Sequence, residues 1–308
     1  MVCCVLVCAR AASRADTPAP VLVALAPAPS DDDARRAVAL GPAGEVYEPD
    51  GKGAWVRTKR IATADALQGA GRAGAAVVAL ADGVVYKLSE NGWSALRLVQ
   101  RGKAILGDGT HAVAAVGKQL FAIDRPGNGE PQKLGVAPAD VLALGAGAKA
   151  VIVATPRGLV RIEGTKTTTL AWAPRTVQRL VGDAWAIVDR GALDLRANKT
   201  IAWPAGVSVG AASPVALAGD GALAAVATVR GGPLELVIVR AGKVERDPIA
   251  ITPPASTPVG VAVDRANRAV VALRDGRLAV RDRGGWTAVT VSEQLPEAKP
   301  GAGPAPSR

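Results

Sequence analysis

His111 is the chain's only imidazole, and its three cysteines, Cys3, Cys4 and Cys8, all fall within the first eight residues. The body therefore has no thiol nucleophile, no Cys/His zinc set and no disulfide framework. His111 lies in Gly107-Asp108-Gly109-Thr110-His111, a turn composition feeding an apolar stretch. A lone histidine there serves a surface or a turn more often than a reaction. No Gly-x-Ser-x-Gly motif and no phosphate-binding glycine loop occurs. Carboxylates are the remaining candidates. Gly107-Asp108-Gly109 and Gly219-Asp220-Gly221 precede apolar strands in the same way, and Asp183 and Asp264 fall close to that place in two further stretches. Two chemistries compete for these four residues. One is a ring of carboxylates binding a cation or basic ligand; the other is turn chemistry, in which each Asp hydrogen-bonds its own backbone. The turn reading is favoured, and Asp108, Asp183, Asp220 and Asp264 stand as the ligand or cation candidates. Asp31-Asp32-Asp33, beside Arg35 and Arg36, reads as a solvated loop. No residue is assigned a catalytic, cofactor-binding or metal-binding role, and no cofactor is indicated.

The bulk composition narrows the class. The 308 residues are 49% hydrophobic and 21% charged, which excludes wholesale disorder. No apolar run reaches the roughly 18 residues of a membrane span. The formal charge is +10, with 37 Lys and Arg against 27 Asp and Glu. The cations are scattered; the densest cluster is Arg57-Thr58-Lys59-Arg60, with Arg97, Arg101 and Lys103 as a looser group. No run of five like charges marks a binding tail. Aromatics make up only 3%, too few for stacking platforms along a single-stranded nucleic acid. A generally positive solvated surface is favoured over a nucleic-acid partner.

The ends differ from the body. Met1 to Ala9 form a short apolar region of signal-peptide length, and Ala9-Arg10-Ala11 and Ser13-Arg14-Ala15 are small-x-Ala cleavage patterns. Residues 1–19 are thus expected to be a signal-like or flexible segment, with Cys8 the candidate for a lipid anchor. Export to the periplasm or cell surface is the expectation, a cytoplasmic location the alternative. Residues 293–308, rich in Pro, Gly and Ala, are expected to be a disordered tail.

Between the ends no 3.6-residue apolar period appears, and Gly and Pro interrupt every candidate helix. What recurs is a pair of apolar strands about a Gly- or Asp-containing turn. Val77-Val78-Ala79-Leu80 turns at Asp82-Gly83 and returns as Val84-Val85-Tyr86; Val270-Val271-Ala272-Leu273 turns at Asp275-Gly276 and returns as Arg277-Leu278-Ala279-Val280. Similar hairpins follow Val38, Val113, Val151, Ala184 and Leu223, making seven copies. With Val38, Val77, Val113, Val151, Ala184, Leu223 and Ala269 as markers, the spacings are 39, 36, 38, 33, 39 and 46 residues. Turn glycines that accept positive φ suit antiparallel hairpins. An apolar strand precedes most hairpins, for example Val177 to Val181 and Val259 to Val263, and a strand opened or closed by Trp often follows. A period near 40 with four strands per unit is a propeller signature. The six tryptophans, Trp55, Trp93, Trp172, Trp185, Trp203 and Trp286, mostly mark outer strands and are expected to pack between units.

On this period and pattern the chain resembles the seven-bladed β-propeller superfamily, in the broad WD40-like and quinoprotein-like sense, over residues 20–292. The resemblance implies an all-β fold of seven four-stranded antiparallel blades with no substantial helix. The Trp-Asp and Gly-His pairs of WD40 blades are absent, and Ser89-Glu90-Asn91-Gly92-Trp93 resembles one degenerate Asp-box turn. With Val21 to Ala26 opening blade one and Thr287 to Val291 ending blade seven, the ring is expected to close without a shared blade. The function expected is that of a non-enzymatic binding or scaffold propeller with a protein partner. The alternatives are a lactonase-like or lyase-like enzyme using carboxylates, and a polyanion-binding surface.

Overall fold

Leu223–Val229 shows why the repeat must assemble. Successive side chains of a strand point to opposite faces. Leu223, Ala225 and Ala227 pack into one apolar cluster, while Ala224 and Val226 pack into another. The strand is buried on both faces, so its sheet needs a neighbour on each side. The same division recurs at Ala269–Leu273, where Ala269, Val271 and Leu273 face one way and Val270 and Ala272 the other. Closing a ring of such sheets satisfies every face.

The computed structural model describes residues 20–27, 33–60, 67–73, 76–89, 92–96, 98, 104–109, 112–123, 131–147, 150–170 and 177–293. They form seven antiparallel sheets, each of four strands consecutive in sequence apart from short additions. Blade 1 spans 24–60, blade 2 spans 67–95, blade 3 spans 104–136, blade 4 spans 143–169, blade 5 spans 177–202, blade 6 spans 215–248 and blade 7 spans 258–290. Seven apolar clusters fill the seven seams between adjacent blades. The protein is a seven-bladed β-propeller. Its one helical element among the described residues is the 3-10 turn Ala34–Arg36.

Glycine lets the blades converge at the axis. A Cβ on Gly145 of blade 4 would overlap the carbonyl oxygen of Gly182 in blade 5, and one on Gly182 would overlap Leu217 of blade 6. One on Gly260 of blade 7 would strike Leu25 of blade 1. An inner-strand glycine of one blade thus admits the neighbouring blade's backbone or leucine.

The ring closes without a shared blade. The amide of Leu22 donates to the carbonyl of Arg274 across the blade 7–blade 1 seam at 3.2 Å. Residues past the last strand then run along the outer edge of blade 1. Ser292 bridges Val56 in parallel, its amide donating to Trp55 O at 2.8 Å and its carbonyl accepting from Arg57 N at 2.9 Å. Arg57 pairs with Glu293 at 2.5 Å, and the Tyr47 hydroxyl donates to the same carboxylate.

Two features depart from the sequence reading. The inner strand of blade 2, Leu67–Ala73, is built from Leu-Gln-Gly-Ala-Gly-Arg-Ala without a branched apolar run. Asp108–Gly109 forms an extra short strand that pairs in parallel with Ala143–Ala146 of the next blade. It also lies near the inner strands of blades 5 and 6, so backbone occupies that end of the axis. Trp185 stands on the second strand of its blade, in the hairpin read from the sequence after Ala184, and its Nε1 donates to Gly221 O of blade 6 at 3.0 Å.

Candidate functional site

Antiparallel order gives the ring two chemically distinct ends. At one, the seam end, lie the turns joining first to second and third to fourth strands. At the other, the hairpin end, lie the second-to-third turns and the crossovers between blades.

The aspartates singled out from sequence all occur in first-to-second connections, at the seam end. Asp264 is 1% exposed and accepts from the amides of Ala266 and Arg268 at 2.9 Å each and from Arg268 Nε at 2.7 Å. Its second oxygen also accepts from Ala34 N of blade 1 at 3.2 Å. Asp220 accepts from Ala222 N at 3.0 Å and Arg240 Nε at 2.6 Å. Burial opposes its ionisation, but the Ala222 amide and the Arg240 guanidinium outweigh it and hold the carboxyl below the usual carboxylate range. Asp183 accepts from Arg196 Nη2 at 2.9 Å and packs against Gly147 of blade 4, where any Cβ would overlap its carboxyl group. Asp108 belongs to the strand beside blade 4; its side chain lies outside the described residues.

Asp220 and Asp264 thus close turns of their own blades, and each of the three described aspartates meets an arginine. Among the described residues no three His, Cys, Asp or Glu side chains are grouped to hold a metal ion. Asp33 extends the pattern to blade 1. It accepts from Arg35 N at 3.0 Å and pairs with the Arg35 guanidinium, which holds its carboxyl below the usual range. Arg240 further donates to Asn267 Oδ1 of blade 7 at 2.8 Å, and Arg265 donates to Gly219 O of blade 6 at 2.8 Å. The seam end is therefore stitched across blades 5, 6, 7 and 1. His111, the three cysteines, Asp31, Asp32, Trp172, Arg97, Arg101 and Lys103 lie outside the described residues.

The hairpin end carries what sequence reasoning did not single out. The exposed large hydrophobic residues among those described are Val21, Val84, Val136 and Leu142, at 46%, 37%, 54% and 63%. All four belong to this end. Val21 precedes the first strand of blade 1, Val84 follows the Asp82-Gly83 turn, Val136 ends the outer strand of blade 3, and Leu142 lies in the crossover to blade 4. Exposed cations occupy the second-to-third turns of five consecutive blades: Lys118, Arg157, Arg190, Arg230 and Arg274. Some other charges here are paired. Glu235 receives Arg246 through two contacts, at 2.7 and 2.9 Å, and Asp275 receives Arg277 at 2.6 Å. The seam end also exposes cations, Lys166, Lys199, Lys243 and Arg283, but none of the four exposed large apolar side chains.

Comparison with known proteins bears on the fold alone. Neither a protein-family model nor a curated protein matches the chain. Among solved structures, it is similar to YCF48 from Cyanidioschyzon merolae, at 16% identity and a TM-score of 0.54, over 85% of this chain and 95% of that one. It is similar to the WD40 β-propeller domain of Doa1 at 12% identity and a TM-score of 0.52, over 87% of this chain and 95% of that one. Against PorZ of Porphyromonas gingivalis, described as an essential bacterial surface component of the type-IX secretion system, the identity is 16% and the TM-score 0.58. That match covers 93% of this chain and 39% of PorZ. No helix among the described residues is long and apolar enough to cross a membrane.

Proposed function

We propose that the chain is a non-enzymatic scaffold propeller that holds a protein partner on its hairpin end, outside the cytoplasm. One observation carries this reading: every exposed large hydrophobic side chain among the described residues lies at that end. A single exposed apolar residue is ordinary, but exposed apolar residues gathered at one end and absent from the other favour an interaction surface there. In the same reading, Asp220 and Asp264 hold turns through backbone amides and arginines, and Asp183 holds the seam to blade 4 with its carboxylate on Arg196. Export is supported by the apolar N-terminal segment with its small-x-Ala patterns. The likeness to a bacterial surface component is consistent with that location at the level of fold.

The test is affinity capture of the tagged chain from its own cells with lysine cross-linking and mass spectrometry. Lys118 reports the hairpin end; Lys166, Lys199 and Lys243 report the seam end. A stoichiometric partner cross-linked through Lys118 is expected. A partner held through the seam-end lysines alone would overturn the choice of face. Absence of any stoichiometric partner would overturn the scaffold reading.

A further inference from the structure

The hairpin-end features are not spread evenly; they concentrate where blade 3 meets blade 4. Val136 pairs with Gln119, directly after the Gly117-Lys118 turn. The crossover then folds back onto that turn: Ala137 N donates to Lys118 O at 2.7 Å, and Val141 N donates to Gly117 O at 3.0 Å. Leu142 N next donates to Ala154 O at 2.8 Å, which fixes Leu142 beside the turn bearing Arg157. These bonds set Val136 and Leu142, the two most exposed of the four apolar residues, beside the turns that bear Lys118 and Arg157. Beneath them the seam is ordered, with Ala137, Val141 and Leu144 buried. The pattern is a fixed apolar platform flanked by positive charge. Lys118 and Arg157 have no ion pair among the described residues. The platform's one described carboxylate is Asp140, near Gly117.

We infer that the blade 3–blade 4 platform, Lys118, Val136, Leu142 and Arg157, docks an acidic protein segment that carries an apolar anchor. The anchor covers Val136 and Leu142, and carboxylates on either side meet Lys118 and Arg157. Arg190, Arg230 and Arg274 continue the line of exposed cations around the same end and extend the surface available to a longer acidic segment. Charge complementarity selects the acidic sequence, and burial of the anchor supplies the affinity. The inference rests on the scaffold reading and adds to it the chemistry and seat of the partner.

The experiment selects binders to the full, immobilised chain from a random peptide library displayed on phage. The selected peptides are then titrated against the wild type, Leu142→Ser, the double variant Lys118→Glu/Arg157→Glu, and a seam-end control, Lys199→Glu/Lys243→Glu. All substituted positions are exposed, and a thermal melt confirms folding of each variant. Selected peptides are expected to combine Asp or Glu with a large apolar residue. Leu142→Ser is expected to weaken them about tenfold. The charge reversal should weaken them further and flatten the salt dependence, while the seam-end control binds as wild type. Heparin serves as a parallel probe and should not respond to Leu142→Ser. Peptides that bind Leu142→Ser and the charge reversal as tightly as wild type overturn this seat but leave the scaffold reading standing. Peptides and heparin that respond alike, to charge only, overturn the apolar anchor in favour of a polyanion surface. Selection of no peptide by a folded chain overturns both.

Discussion

Adding a single methyl group at one glycine after another gives a graded test of how closely the blades approach. Gly210 has no atom within 4 Å of the Cβ it lacks and no positive φ, so Gly210→Ala should change stability by less than about 1 kcal/mol, with a slight gain from the stiffer unfolded chain. Gly221 has the same open space but a φ of +81, so Gly221→Ala isolates the backbone cost. An alanine in left-handed backbone costs about 1–2 kcal/mol, less the unfolded-state gain. Gly182 combines a φ of +59 with overlap onto Leu217. Its substitution adds an overpacking cost of about 1–3 kcal/mol, moderated because a leucine tip can turn aside. Gly145 has ordinary φ, but its Cβ would overlap the main-chain oxygen of Gly182, which cannot rotate away. Gly145→Ala must push blades 4 and 5 apart along the cluster containing Ile152, Leu159, Leu180 and Leu193, and about 3 kcal/mol is the expected loss. At about 2–4 °C per kcal/mol for a chain of this size, its melting temperature should fall by about 6–12 °C. Circular dichroism melts and urea midpoints read the series. If Gly145→Ala melts with the wild type while Gly221→Ala is destabilised, the blades do not converge as described, and the account of the ring's centre fails.

The buried and half-exposed aspartates should separate in the same assay. Asp264→Ala strips acceptors from Ala34, Ala266 and Arg268 and leaves the arginine without its principal partner, so a loss of about 3–5 kcal/mol is expected; Asp220→Ala, at a more exposed pair, should lose about 1 kcal/mol or less. Equal losses would mean that burial does not distinguish the two. The phenol of Tyr47 is raised well above its ordinary value, first by burial and then by its bond to Glu293. The neutral form is therefore favoured by folding, and this stabilisation is complete below about pH 10 and lost as pH rises above it. Tyr47→Phe should melt with a smaller drop between pH 9 and 11 than wild type, and an identical drop would place the alkaline loss elsewhere. The carboxyls of Asp33, Asp220 and Asp275 are held below the usual range, so their contribution is present above about pH 4 and lost as pH falls below it. Melts from pH 7 to 3 should show that decline.

The blade number and the central hairpins were legible because they rest on local signals. Asp82 and Gly83 both adopt positive φ, at 42° and 76°, which is the two-residue turn their sequence announces. The alternation of Leu223–Val229 and Ala269–Leu273 was legible for the same reason. What escaped depends on partners distant in sequence. Leu67–Ala73 is a strand because blade 2 and its neighbours enclose it, not because Gly and Ala favour strands. Asp108–Gly109 pairs with a different blade, and Ser292 pairs with the outer strand of the first. One periodic signal was present and unread. Leu144-Gly145 and Leu180-Val181-Gly182 lie at the ends of successive inner strands, and at each the glycine lets the next blade seat against it. The acidic turns drew notice because aspartate stands out in an apolar chain. Val136 and Leu142 did not, since exposure is decided by the crossover's path and not by residue type.

The two ends of the ring answer to different demands. At the seam end, side chains cross from blade to blade: Asp264 reaches Ala34, Arg240 reaches Asn267, Arg265 and Trp185 reach the Gly219–Gly221 turn. A residue used this way is constrained by the neighbour it holds and is poorly free to follow a ligand. At the hairpin end, the blade 3–blade 4 crossover is held by main-chain bonds from Ala137, Val141 and Leu142 and by the buried side chains of Ala137 and Val141, which leaves Val136 and Leu142 exposed. Those two side chains can change without loosening the ring. The consequence is separability: seam-end substitutions such as Asp264→Ala should lower the melting temperature while a folded sample still binds its partner. Leu142→Ser should do the reverse, leaving the melt nearly unchanged and weakening binding. A Leu142→Ser chain that melts as far below wild type as Asp264→Ala would show that Leu142 belongs to the core and that the division of labour drawn between the ends is wrong.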